Sequence, residues 1–331
     1  PPPPPPPPPL FFFMQKTAYE SMPSLVGSEM CIRDRGSLPS LLAISLAHVP
    51  AQASQPSVVA VDGTLCDLTR TLAGTAVSVT CLIPPGGDPH GYRLKPSDRQ
   101  ALSKADLVVH VGFNLTPSAK DISVPGTVVA VGEVAMPAYR GNDPHVWHDP
   151  ANSAAMTSVV ADRLSPLLTG AERTAFESRA ARANNVLNDL GSWASVQFAK
   201  LPAEQRVLVT DHQTYSHLAS RYDLEEISML DSYTTGGALK PSSLNAITKA
   251  VSASGAKVIF SSYLPANKSL KRISKRSGLP IASIPLYGEG LAPGETAVST
   301  ATKNVCAILK GQGASCDQAA ANALANRWSS I

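Results

Sequence analysis

Short apolar, β-branched runs alternate along the chain with segments of helical period. Runs at 57–62, 77–83, 107–112 and 127–132 read as strands in the first half. Runs at 206–210, 225–230, 257–262 and 281–286 read as strands in the second. Most are continuously apolar, the pattern of parallel strands covered on both faces by the helices between them. The segment 97–105 reads as one such helix, with Ser97 as its cap after Pro96. The predicted class is α/β: two lobes, each with a four-stranded parallel sheet flanked by helices.

The middle of the chain has a different pattern. Thr169-Gly170-Ala171-Glu172 has the form of a capping box. Beyond it Phe176, Ala180, Ala183, Leu187, Leu190 and Ala194 recur at spacings of four and three, one apolar face of a helix. Such a helix over 171–201 would be about 45 Å long at about 1.5 Å per residue. Gly191 weakens it locally and Pro202 ends it. It would join an N-terminal lobe at 54–170 to a C-terminal lobe at 202–331 as a stiff spine.

The first 53 residues do not share this alternation. Pro1 to Pro9 and Phe11 to Phe13 are homopolymers, and Met14 to Arg35 has no sustained period. Residues 1–36 resemble translated sequencing-adapter read-through and are expected to be disordered and to pack against nothing. Residues 37–53 are apolar, too short to span a bilayer, and end Ala51-Gln52-Ala53, the pattern of a truncated secretory signal. The expected location of the remainder is the periplasm.

Composition narrows the function. The chain has 28 Lys+Arg against 25 Asp+Glu, a net charge of +3. Read along the sequence this excess is small and unclustered, so nucleic acid is not an expected partner. Beyond residue 53 the cysteines are Cys66, Cys81, Cys306 and Cys316. An even count behind an export signal favours disulfides, and the spacings favour Cys66 with Cys81 and Cys306 with Cys316 among three connectivities. No Cys-x-x-Cys pair offers a thiolate zinc site.

The candidate chemistry lies in histidine. Asp-Pro-His occurs twice, at Asp88-Pro89-His90 and Asp143-Pro144-His145, and proline constrains the backbone beside each imidazole. His90, His145 and His212 each follow a predicted strand, where ligands bind in open parallel sheets. Glu289 has the same topological place after the last strand. Three imidazoles and one carboxylate, two from each lobe, form a zinc-type shell. Four protein ligands leave no open position, which favours holding a metal over using it. His148 stands three residues after His145, and spacing alone does not separate the two. His110 reads as a buried strand residue and His217 as a packing or surface group.

These motifs resemble the solute-binding proteins of zinc and manganese ABC transporters. Gly86 to Leu115 looks like the first metal-ligand motif of that family, Asn142 to Ser153 the second, Val207 to Leu224 the third, and Ile284 to Pro293 the last. The resemblance implies two α/β lobes, a spine helix and metal held between the lobes. It carries His90, His145 and His212 over as ligands, with Glu289 by position, and gives His148 no ligand role. Two departures stand out. The last ligand in the family is commonly Asp, and the short 133–142 segment lacks the His-rich loop of many zinc members. At position 212, manganese-type members typically carry Glu instead of His, which favours zinc.

The expected function is capture of a divalent metal, zinc ahead of manganese, by a monomer that delivers it to a membrane permease. A zinc hydrolase in the same cleft is the alternative from another class. It would need a base beside an open metal position, and no His-Glu-x-x-His helix is present. Metal affinity is expected to fall as pH drops through about 6.5, because ligation needs neutral imidazoles.

Overall fold

Val58, Val59 and Ala60 give β1 (Ser57–Ala60) no polar face, and all three are fully buried. Such a strand needs cover on both sides, and the next elements supply it. They are α1 (Gly63–Ala73), β2 (Ser78–Cys81), α2 (Pro96–Leu102), β3 (Leu107–His110), β4 (Thr127–Ala130) and α3 (Val131–Ala135). The strands are parallel, in the order β2-β1-β3-β4. Successive side chains alternate between faces. Val58 and Val109 therefore pack with Leu65, Leu68 and Leu72 of α1, while Val59 and Val108 pack with Leu102 of α2. The computed structural model describes residues 55–230 and 241–331. The expectations for 1–36 and 37–53 lie outside the described residues.

The helix α2 starts one residue before its expected cap. Lys95 is the N-cap residue, and its backbone N–H donates to the Asp98 carboxylate at 2.8 Å. The chain continues through α4 (Pro150–Leu164) into α5 (Gly170–Phe198), a single helix of 29 residues that Gly191 does not break. The six positions of its predicted apolar stripe are all buried. Thr169 is its N-cap residue, but its side chain makes no capping bond, so the expected capping box is not formed. Arg179 on α5 donates to the carbonyls of Leu72 (2.7 Å) and Ala73 (2.9 Å), satisfying the C-terminal end of α1.

The second half contains β5 (Val207–Thr210), α6 (Ser216–Tyr222), β6 (Glu225–Ser228), α7 (Pro241–Ala253), α8 (Lys268–Ser277), α9 (Ala297–Gly311) and α10 (Gln318–Ser329). Here β5 and β6 pair in parallel, but the predicted four-stranded ladder is not completed. Phe260 N–H reaches Val209 O at 2.8 Å, and Ile259 makes an isolated parallel bridge to Ile281. Ala282 N–H then bonds Ile259 O at 2.8 Å and Leu286 N–H bonds Ser261 O at 3.0 Å. Four residues on one side thus face two on the other. The segment 283–285 loops out, and Pro285 has no N–H to continue the ladder.

The two halves share one hydrophobic core. It runs from Val58 and Leu68, through Phe176, Leu187 and Phe198 of α5, to Leu208, Val305 and Trp328. Asp67 on α1 ties the far end of the chain to the near one. Its Oδ2 accepts Ala297 N–H at 2.7 Å and Trp328 Nε1–H at 2.9 Å. Disulfides join Cys66 to Cys81 and Cys306 to Cys316, with Cα separations of 5.5 Å and 5.2 Å. Charge is more clustered than the sequence reading held. Lys268, Lys271, Arg272, Lys275 and Arg276 all stand exposed on α8, because Leu270 and Ile273 turn its other face into the core. Among the described residues no helix is long and apolar enough to cross a membrane.

Candidate metal centre

His90 lies in the loop after β2, where its backbone N–H bonds Asp88 Oδ1 at 2.9 Å. His145 follows Pro144 and is fully buried, just ahead of a one-turn 3-10 helix, Val146–His148. His212 comes directly after β5 and is also buried. Glu289 sits in the loop between the last apolar run and α9, flanked by Gly288 and Gly290. These four side chains meet. His90 Nε2 is 3.1 Å from His145 Nε2 and 2.9 Å from Glu289 Oε2. His145 Nε2 is 3.3 Å from the same oxygen, and His212 Nε2 bonds Glu289 Oε1. One potential ligand atom from each lies within 4.8 Å of all the others.

Carboxylates orient two of the three rings from behind. Asp143 Oδ1 accepts both the His145 backbone N–H (3.0 Å) and Nδ1–H (2.8 Å). Asp211 Oδ1 accepts His212 Nδ1–H at 3.0 Å, and Asp211 is held by the Ser262 hydroxyl at 2.8 Å. With Nδ1 engaged this way, each Nε2 is aimed at the cluster. His90 Nδ1 is buried with no partner among the described residues. The sequence reading assigns no role to Asp143 or Asp211. The signal was present: an Asp two residues before His90 and His145, and one directly before His212.

The electrostatics follow from this packing. Burial opposes charge on Glu289, but hydrogen bonds from His145, His212 and His90 outweigh it and hold the carboxyl well below its ordinary range. Burial also opposes charge on His212, yet bonds to Asp211 and Glu289 raise it to about 10. His145 is raised against the same burial by Asp143 and Glu289. In the metal-free fold the cluster therefore holds protons that a cation must displace.

The other histidines among the described residues lie outside the cluster. His148 Nε2–H donates to the Gly288 carbonyl at 2.9 Å, and burial lowers its pKa to about 4. Its ring lies 4.5 Å from that of Tyr215 and 5.3 Å from that of Trp147. His217 packs its ring 5.0 Å from Tyr139, and His110 ends β3. A cavity of about 370 Å³, lined by Asp211, His212, Tyr263, Tyr287 and Glu289 among others, adjoins the cluster.

The family model described as zinc-uptake complex component A, periplasmic, matches residues 58–311. The iron-binding protein YfeA of Yersinia pestis is 26% identical over 263 residues, covering 75% of this chain and 83% of its own length. The manganese-binding lipoprotein MntA of Halalkalibacterium halodurans is 26% identical over 265 residues, covering 75% of this chain and 85% of its own. The solved periplasmic zinc binding protein TroA from Treponema pallidum has the same fold, with a TM-score of 0.72 at 24% identity. That match covers 78% of this chain and 99% of TroA. The chain thus belongs to the family of the periplasmic zinc-uptake component A, the metal-binding solute-binding components of ABC transporters, which are not enzymes.

Proposed function

We propose that this protein captures zinc in the periplasm at His90, His145, His212 and Glu289 and delivers it, as a monomer, to an ABC permease. The observation that carries the reading is the convergence of three imidazole Nε2 atoms and one carboxylate within 4.8 Å. Nitrogen-rich shells with a single carboxylate favour zinc, whereas harder ions select more oxygen. Two of the imidazoles are backed by Asp143 and Asp211, the arrangement that raises ligand basicity. Manganese is the second reading. Glu289 favours it by turning both oxygens to the cluster, Oε1 toward His212 and Oε2 toward His90 and His145.

Competition dialysis with equimolar zinc and manganese tests the choice. Wild type is expected to retain zinc, and retention of manganese would reverse it. The same assay tests the ligand set. His145→Ala is expected to lower zinc affinity by more than about 100-fold, beyond the range for groups outside the ligand shell, and His148→Ala by about tenfold. Equal losses would remove His145 from its ligand role.

A further inference from the structure

Glu289 stands between two glycines, so the backbone on either side of this carboxylate is permissive. Gly290 adopts φ 145°. The carboxylate needs outside restraint to stay where three imidazoles meet it. Hydrogen bonds around the loop provide that restraint. Asn304 on α9 accepts Tyr287 N–H at 3.0 Å and donates to Tyr287 O at 2.9 Å. Gly86 N–H, from the loop that carries His90, bonds Leu291 O at 2.8 Å. Closest to Glu289 in sequence among these backbone bonds is that of His148, whose Nε2–H bonds the carbonyl of Gly288, the residue before Glu289.

His148 is suited to this task by its own restraints. It closes the 3-10 turn Val146–His148, three residues from His145, so the turn that presents one imidazole to the cluster also presents the other to the Glu289 loop. The ring is held between Tyr215 and Trp147 at interplanar angles of 39° and 42°. Next to it, a Cβ added at Gly288 would lie 2.5 Å from Thr214 Cγ2 and 3.3 Å from Tyr215 Oη, so the Gly288 backbone runs tight against the His212 loop.

We propose that His148 is a positioning residue for metal binding: its bond to the Gly288 carbonyl sets the place of the Glu289 carboxylate against the three imidazoles. This rests on the metal-receptor reading above. It makes the His148 side chain, which ligates nothing, a determinant of affinity that acts through one named ligand.

The test is a double-mutant cycle read by zinc titration of the full chain. His148→Phe keeps an aromatic ring between Tyr215 and Trp147 but has no donor. It is expected to bind zinc about tenfold more weakly, the scale of lost support around a ligand. Paired with Glu289→Ala, it should cause no further loss. Paired with His212→Ala, it should cause its full loss again. His148→Gln, which places an amide N–H near the Nε2 position, should recover wild-type affinity, and so keeps the test open if the Phe variant does not fold. Wild-type affinity in His148→Phe, no recovery in His148→Gln, or full additivity with Glu289→Ala would overturn the proposal while leaving the receptor reading intact. A wild-type protein that binds no zinc would overturn both.

Discussion

Asp143 and Asp211 set the chemistry of their neighbours more than their place in the sequence announced. Each accepts a hydrogen bond from an Nδ1–H, and Asp143 also accepts one from the Ser216 hydroxyl at the start of α6, linking an imidazole of the first half to a helix of the second. These carboxylates move the pH window. His212 is raised from 6.5 to about 10 in the metal-free fold. Its contribution to stability is therefore fully present below about 6.5 and lost as pH rises through about 10. Zinc needs the neutral ring, so affinity should rise over that same window. The sequence reading placed the change near an unperturbed imidazole; Asp211 and Glu289 shift it to the alkaline side. Titration calorimetry in buffers of different ionisation heat should show protons released on zinc binding at pH 7 and tighter binding at pH 9. Equal affinity at the two values would count against the shift. His90 and His145 were legible from the repeated Asp-Pro-His and His212 from the strand before it, although α3 separates His145 from the end of β4. Which of His145 and His148 faces the cluster was not, because the answer depends on a 3-10 turn. His145 is the N-cap residue of that turn, with non-helical backbone at φ −82° and ψ 46°, so the two rings do not share a helical face.

Among the elements, α5 was the most legible, since a regular apolar stripe survives translation into structure almost unchanged. Its capping box was not formed: Gly170, directly after the N-cap residue Thr169, takes φ 56°, a left-handed turn that the sequence pattern does not reveal. Gly191 remains a weak point inside it. A Cβ there would lie 3.6 Å from Pro150 Cβ and 4.0 Å from Tyr222 Oη, an ordinary contact. Gly191→Ala should therefore stabilise the fold by about 1 kcal/mol, the helix propensity difference, read as a higher urea midpoint. A lower midpoint would mean that the groove between α4 and α6 has no room for a methyl group. The strands show the opposite balance. In the first sheet β1 and β3 were legible from nearly continuous apolar runs, and β2 from its β-branched Val79 and Thr80 although it alternates with polar residues. The runs at 257–262 and 281–286 have strand composition but fail to pair throughout, because Pro285 and the looped-out 283–285 segment break the ladder. Periodicity records burial, while hydrogen bonding between two segments depends on both.

Across the whole molecule, α/β alternation correctly implied layered sheets and helices, but it gave no sign that the last two helices return to the first half. Buried Trp328 shows that they do, donating to Asp67 across 261 positions of sequence. Trp328→Ala should cost about 3–5 kcal/mol, the range for deleting a large buried aromatic, read by urea denaturation. A loss under about 1 kcal/mol, typical of surface positions, would make α10 an ornament on a self-sufficient core. The same contact bears on the birth of the chain. Loops this long close late and slowly. When Asp67 leaves the ribosome, Trp328 has not yet been translated, and Asp67 stays without that partner while the 261 positions up to it are made. Synthesis thus makes the residues of both sheets before it makes the one that ties α10 to α1.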